Sequence, residues 1–240
     1  MNLVIDAGNT YIKYAVFSDS KILIHGKVDY VNYLEKLQGL VNNNLKLIAY
    51  SSVKKNAIDD FLLQNKKIAQ FALSHNNKFP FLNSYTTPNT IGIDRLVACS
   101  GAYSIQKKPG FVVIDAGTCI TYDIVDENNC YLGGAISPGL QMRIKAMHNY
   151  TDQLPLISPN KESLSLIGNS TFASINSGVL NGITFEMNGF IEKINQNQQN
   201  FKIYLTGGDA DFFENALKSS IFAEPLLNLK GINDLIKINA

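Results

Sequence analysis

The chain opens with Met1–Phe17, MNLVIDAGNTYIKYAVF, and repeats the central figure at Val112–Val125, VVIDAGTCITYDIV. In each copy a short apolar run meets Asp-Ala-Gly, then small hydrogen-bonding residues, and alternating apolar residues resume at once. Glycine at such a place allows positive φ or close approach of another group to the backbone. Backbone N–H groups in a turn of this kind, helped by Asn and Thr side chains, can cradle a phosphate. A carboxylate beside a phosphate is out of place unless a cation lies between them. Mg2+ carried by a nucleotide fills that role, since it binds through one or two carboxylates plus phosphate oxygens. Alone, Asp6–Thr10 reads equally well as a hairpin turn with a capping Asp. The second copy, Asp115–Thr118, favours a pair of turns that grip one polyphosphate across a cleft.

Working outward, period-2 and continuous apolar patterns predict strands at Met1–Ile5, Ile12–Phe17, Lys21–Val28, Leu45–Val53 and Ile68–Leu73. Helical spacing predicts helices at Val31–Asn42, Ala57–Gln64 and Ile93–Ser104. The grammar then restarts, with strands at Phe111–Ile114, Cys119–Val125, Cys130–Ile136 and Lys202–Leu205. Helices follow at Gly139–Met147, Phe172–Asn195 and Ala210–Lys218, and Gln196–Asn200 reads as a polar loop. A unit of strand, acidic turn, hairpin and helix therefore occurs twice, at a period far longer than that of a solenoid. The expectation is two α/β lobes, residues 1–110 and 111–240, with the ligand between them.

Composition narrows the function classes. Of 240 residues, 45% are hydrophobic and 17% charged, which is enough apolar content for a buried core. A formal net charge of +1 provides no basic excess for nucleic acid. No apolar run approaches the roughly 18 residues of a membrane span, and the N-terminus shows neither a basic stretch nor a small-residue cleavage site. A cytoplasmic protein is expected. Cys99, Cys119 and Cys130 lack C-x-x-C spacing, and His25, His75 and His148 are scattered, so neither a disulfide framework nor a zinc site is implied.

Three further stretches carry possible chemistry. Thr206–Ala210, TGGDA, follows a strand and precedes a helix, where paired glycines admit a flat ligand, or where Asp209 simply caps the helix. Tyr85–Leu96, YTTPNTIGIDRL, shapes a loop with Pro88 and Gly92 ahead of a helix. There Asp94 could accept a hydroxyl proton and Arg95 could bind a carboxylate, or the two could form a structural pair at the helix start. Gly133–Met142, GGAISPGLQM, is a shaped turn, structural by default. No G-x-x-x-x-G-K-[ST], G-x-G-x-x-G or protein-kinase signature is present.

Seven pieces, taken in order, resemble the type III pantothenate kinases, within the superfamily of sugar and acetate kinases and actin. They are DAGNTYIK (Asp6–Lys13), GIDR (Gly92–Arg95), DAGTCITYD (Asp115–Asp123), GGAISPG (Gly133–Gly139), TDQLP (Thr151–Pro155), GNSTFASINSG (Gly168–Gly178) and LTGGDA (Leu205–Ala210). Cys119 and Val97 stand where such proteins usually carry Ala, both apolar swaps. The resemblance implies a duplicated actin-like ATPase fold, two ribonuclease H-like lobes around a central nucleotide cleft. It implies ATP-dependent phosphorylation of pantothenate to 4'-phosphopantothenate, the first step of coenzyme A synthesis, by a cytoplasmic homodimer.

Carried over by position, the resemblance makes Asp94 the general base. Asp6, Ala7, Gly8, Asn9, Thr10, Tyr11, Ile12, Lys13 and Thr118 would bind ATP. Tyr85, Gly92, Ile93, Asp94, Arg95 and Thr171 would bind pantothenate. Asp6 would lie on the Mg2+–phosphate side, and Asp115 would hold a monovalent cation, K+ or NH4+. No nucleic acid or membrane partner is implied. The residues by themselves also allow a non-kinase member of the superfamily, or a binding protein that kept the fold and lost turnover.

Overall fold

A computed structural model describes residues 1–162, 165–197, 201–217 and 220–240. By internal packing, Met1–Pro109, Glu127–Gly133 and Leu226–Ala240 form one compact unit, and Gly110–Asp126 with Gly134–Pro225 form the other.

The first unit is built on a sheet of β1 (Asn2–Ala7), β2 (Ile12–Ser18), β3 (Lys21–Val28), β4 (Leu47–Ser52) and β5 (Ala69–Ala72), in the order β3-β2-β1-β4-β5. Strand β1 is antiparallel to β2 and parallel to β4. It is central and buried on both faces, which is why it reads as a continuous apolar run. Leu3, Ile5 and Ala7 pack with Leu37 and Phe61 from the short helices α1 (Tyr33–Gln38) and α2 (Asp59–Gln64), and with Ile58 just before α2. Val4, on the opposite face, packs with Val97 of α3 (Ile93–Gln106) and with Leu229, Ile232 and Leu235 of the last helix, Leu227–Asn239.

The other sheet has the order β11-β10-β7-β8-β9-β6, from β6 (Leu82–Asn83), β7 (Phe111–Ala116), β8 (Cys119–Val125), β9 (Cys130–Pro138), β10 (Lys202–Thr206) and β11 (Ile221–Ala223). Strand β6 pairs with the start of β9, at Cys130 and Tyr131. Over the remaining strands the pattern of the first sheet recurs: β7 is antiparallel to β8 and parallel to β10, and β10 is parallel to β11. This is the ribonuclease H-like arrangement, present twice. Helices α4 (Leu140–Asn149), α5 (Thr171–Asn197) and α6 (Ala210–Ala216) cover one face through Leu140, Ile144, Val179, Ile183, Met187 and Phe213. Glu186 on α5 accepts hydrogen bonds from Tyr122, Ser137 and Arg143, which ties β8, β9 and α4 to that helix.

Several boundaries differ from the sequence expectation. Asp6 and Ala7 continue β1, and Asp115 and Ala116 continue β7, so each acid belongs to a strand and not to the turn after it. The helix expected over Val31–Asn42 shortens to Tyr33–Gln38, because Asp29 accepts from the amides of Val31 and Asn32 and folds the entry into a turn. Strands β6 and β11 and the last helix, α7 (Leu227–Asn239), were not anticipated. Helix α6 ends at Ala216, and Lys218 lies outside the described residues. Of the expected polar loop, Gln196 and Asn197 belong to α5 and the rest lies outside the described residues.

Helices α3 and α7 touch backbone to backbone. A Cβ on Gly101 would run into the carbonyl of Leu227, and one on Gly231 into the carbonyl of Val97. Helix propensity alone favours Ala over Gly inside α7 by about 0.5–1 kcal/mol. The crossing outweighs it, so Gly231→Ala is expected to destabilise by about 1–3 kcal/mol, roughly 3–10 °C in Tm for a chain of this size. A thermal scan that shows an unchanged or raised Tm would mean the crossing is slack.

Candidate active site

In the first unit the acidic turn is made by strand pairing. Asp6 is the penultimate residue of β1, opposite Lys13 on β2 and Ser51 on β4. The Gly8 amide donates to the Tyr11 carbonyl at 3.1 Å and closes the turn. The Tyr30 hydroxyl donates to the Gly8 carbonyl at 2.5 Å and fixes its orientation. Asn9, Thr10 and Tyr11 are exposed and Lys13 is half-buried, so these side chains are open to a ligand. Ala7 and Ile12 are wholly buried in the apolar core and have only backbone to offer. Lys54 lies 4.1 Å over the Tyr30 ring and Lys27 lies 5.3 Å from the centre of the Tyr11 ring, which adds positive charge beside the turn.

Asp6 is only 7% exposed, and burial pushes its carboxyl above the ordinary carboxylate value. Lys13 pulls it back down, the charge of Asp94 pushes it further up, and a hydrogen bond from Asn228 lowers it. Asp94 therefore lies close enough for its charge to act on Asp6. It stands in the first turn of α3, where Gly92 caps the helix in an extended conformation. A Cβ on Gly92 would collide with Asp94 Oδ1, so glycine makes the room for that carboxylate. The Arg95 amide donates to Asp94 Oδ1 at 3.0 Å. Burial raises the Asp94 carboxyl, opposed by that amide and by the Arg95 guanidinium. Arg95 itself is buried, at 5% exposure.

The loop before α3 is held at both ends. His75 Nε2 donates to the Ile91 carbonyl at 2.7 Å, next to Gly92. At the other end the Tyr85 ring packs on Gly133, whose φ is +100°, and lies 6.3 Å from the ring of Tyr131. Gly92, Ile93, Asp94 and Arg95 thus form one group with Asp6, while Tyr85 is anchored separately.

In the second unit three glycine turns meet. Asp115 is the penultimate residue of β7, opposite Thr121 and Thr206. The Gly117 amide donates to the Cys119 carbonyl at 3.0 Å, so this turn is tighter than its counterpart. The Gly139 amide donates to the Thr118 carbonyl, and a Cβ on Gly139 would strike the carbonyls of Gly117 and Thr118. Gly207 has φ +106° and its missing Cβ would enter the backbone of Ala116, whose carbonyl accepts from the Asp209 amide at 3.0 Å. Gly208 faces open space. Asp209 caps α6 by position only. Its carboxylate makes no capping bond and accepts from Lys161 at 2.7 Å. Thr118 is exposed, and so is Thr171, the first residue of α5.

Residues 2–193 match the family model described as type III pantothenate kinase. A type III pantothenate kinase of Flavobacterium psychrophilum is 44% identical over 237 residues, 98% of each chain. The chain belongs to the type III pantothenate kinase family. A solved structure from Campylobacter jejuni, described as a Baf family transcriptional activator, is 27% identical with a TM-score of 0.67, covering 98% of this chain and 97% of that one. The activator of 2-hydroxyisocaproyl-CoA dehydratase from Clostridium difficile, solved with bound ADPNP, aligns at TM-score 0.55 and 14% identity over 98% of this chain and 93% of that one. At that identity the likeness concerns the fold alone.

For a type III pantothenate kinase, two groups around Asp6 were missed in the sequence. Tyr30 could have been found only by knowing that β3 returns it to Gly8. Asn228 lies 222 residues from Asp6 and past the last matched motif, so no local signal points to it.

Proposed function

We propose that this kinase transfers the γ-phosphoryl group of ATP to the primary hydroxyl of pantothenate, giving 4'-phosphopantothenate, with Asp94 as general base. The observation that carries the base assignment is the buried Asp94 carboxyl at the start of α3, raised by that burial and near enough for its charge to raise Asp6. A raised carboxyl is a better proton acceptor near neutral pH than an ordinary one. The Arg95 amide holds one oxygen, which fixes the direction of the other lone pairs.

Phosphoryl transfer asks for positioning and charge stabilisation more than covalent chemistry. Asp6–Lys13 and Thr118 are assigned to ATP, with Asn9, Thr10 and Lys13 offering side chains and Ala7 and Ile12 offering backbone. Tyr85, Gly92–Arg95 and Thr171 are assigned to pantothenate, with Arg95 as the cation for its carboxylate. Among the described residues no cluster of three or more His, Cys, Asp or Glu side chains stands together. A single acid such as Asp6 or Asp115 suits an ion that completes its shell with water and phosphate oxygens. Asp6 would hold Mg2+ and Asp115 a monovalent cation, K+ or NH4+; when bound, these ions neutralise charge on the phosphate oxygens. The copies of the repeat are taken as 1–110 and 111–240, although α7 packs in the first unit. A homodimer in the cytoplasm completes the reading. Among the described residues no helix is long and apolar enough to cross a membrane.

A coupled ADP-release assay with pantothenate, with and without K+, tests the activity: pantothenate-dependent ADP that rises with K+ is expected. No pantothenate-dependent ADP under either condition removes the reading. Asp115→Ala is expected to raise the K+ concentration needed for half-maximal turnover, and an unchanged K+ titration would remove the cation from Asp115.

A further inference from the structure

We propose that Asn228, on the C-terminal helix α7, is a positioning residue that holds the Asp6 carboxylate in the orientation phosphoryl transfer requires. The proposal deepens the kinase reading and rests on it. Helix α7 lies beyond the residues that match the family model and beyond the last motif, at Leu205–Ala210.

Side chains alternate along a strand, so Asp6 points to the same face of β1 as Val4. That face is covered by α3 and α7. Asn228, in the first turn of α7, is 6% exposed, and its Nδ2 donates to Asp6 Oδ2 at 3.3 Å. Its Oδ1 is buried and has no hydrogen-bond partner among the described residues. Ser51, the register partner of Asp6 on β4, is wholly buried, and its Oγ also has none. Leaving such groups unpaired costs about 1–3 kcal/mol each. Around them the face is apolar, with Val4, Ala49, Val97 and Leu229. An apolar side chain at 228 would pack there without that cost. What Asn228 adds over an apolar residue is the donor to Asp6.

The crossing of α3 and α7 makes this hold rigid. Gly101 and Gly231 bring the two helices into backbone contact, Asp94 stands at the start of α3, and Asn228 stands at the start of α7. The same helix pair therefore sets Asp94 directly and Asp6 through Asn228. Asn233 is a matched control on the same helix. It is 2% exposed, its Nδ2 donates to the Asp19 carbonyl at 2.8 Å, and its Oδ1 is likewise without a partner among the described residues. It touches no carboxylate through that bond.

The test compares Asn228→Ala and Asn228→Leu with Asn233→Ala in the full chain. The measurements are kcat, KM for pantothenate, the Mg2+ concentration for half-maximal rate, and calorimetric Kd for Mg2+-ATP without pantothenate. Removing an outer-shell partner of a ligating carboxylate typically costs about 10–100-fold in activity or metal affinity. Both Asn228 variants are expected to lose kcat in that range, to need more Mg2+ and to bind Mg2+-ATP more weakly, with KM for pantothenate unchanged. Asn233→Ala is expected to lower Tm and leave all four constants alone. Wild-type constants in a folded Asn228 variant, or an equal kinetic loss in Asn233→Ala, overturn the proposal. Should either Asn228 variant fail to fold, Asn228→Ser, whose hydroxyl is too short for the same bond, replaces it under the same criteria. A wild-type protein that binds Mg2+-ATP but leaves pantothenate untouched defeats the kinase reading, while the Kd comparison still decides the role of Asn228.

Discussion

Asp94→Asn is expected to lower kcat by about 10²–10⁴-fold, the usual worth of a positioned general base, with the fold intact. The same variant is expected to melt higher than the wild type at pH 8. The Asp94 carboxyl is raised in the folded chain by burial. A raised acid stabilises the fold only while it is protonated. That contribution is complete below the unfolded value of about 3.9 and is lost as pH rises through the folded value. At pH 8 the wild type therefore carries the cost of a buried charge and the Asn variant does not. As the pH falls towards 4, the difference in Tm closes. Steady-state rates and thermal scans at several pH values check both halves. Near-normal turnover would sink the base assignment, and a variant that melts lower than the wild type at pH 8 would show that the burial cost is offset elsewhere. The acid limb of the wild-type kcat profile is expected above the ordinary carboxylate range, for the same reason.

Gly207→Ala is expected to have the largest effect on folding. Its φ of +106° lies where side chains are rarely tolerated, and its Cβ would enter the backbone of Ala116. Conformational strain of about 1–2 kcal/mol adds to an overpacking cost of about 1–3 kcal/mol. Together they predict a fall in Tm of roughly 5–15 °C. Relief can come only by moving the Gly207–Asp209 turn off Ala116, which would also disturb the neighbouring Asp115–Thr118 turn. A raised KM for ATP is therefore expected in whatever protein remains folded. Gly208→Ala is the comparison: its Cβ would meet nothing within 4 Å, so Tm should hold. Equal Tm values for the two variants would mean that the Gly207 turn is not constrained by Ala116.

Much of the fold was legible because its signals are local. Alternation over Ile12–Phe17 and Cys119–Val125, and the Asp-Ala-Gly steps before them, marked two equivalent hairpins, and the strand order of the first sheet recurs in the second, which adds β6 at its edge. Strand ends were less legible. The apolar run stops at Ile5, but β1 continues through Asp6 because Lys13 and Ser51 pair with it on both sides. Helix α7 carries a helical apolar spacing at Leu229, Ile232, Leu235 and Ile236. Buried Asn228 and Asn233 interrupt the apolar stripe, and both are explained only by what they bond.

The sequence by itself determined the duplicated strand–turn–hairpin pattern, the family resemblance and the set of acids, since backbone periodicity and short motifs are properties of neighbouring residues. Only the tertiary structure decided which acids differ from ordinary ones, and what holds them. Burial raises Asp6 and Asp94, Asp94 acts on Asp6 through space, Asp209 is paired with Lys161, and an asparagine 222 residues away reaches Asp6. Desolvation and hydrogen bonding depend on what packs over a side chain, and the segments that pack over Asp6 come from the far end of the chain.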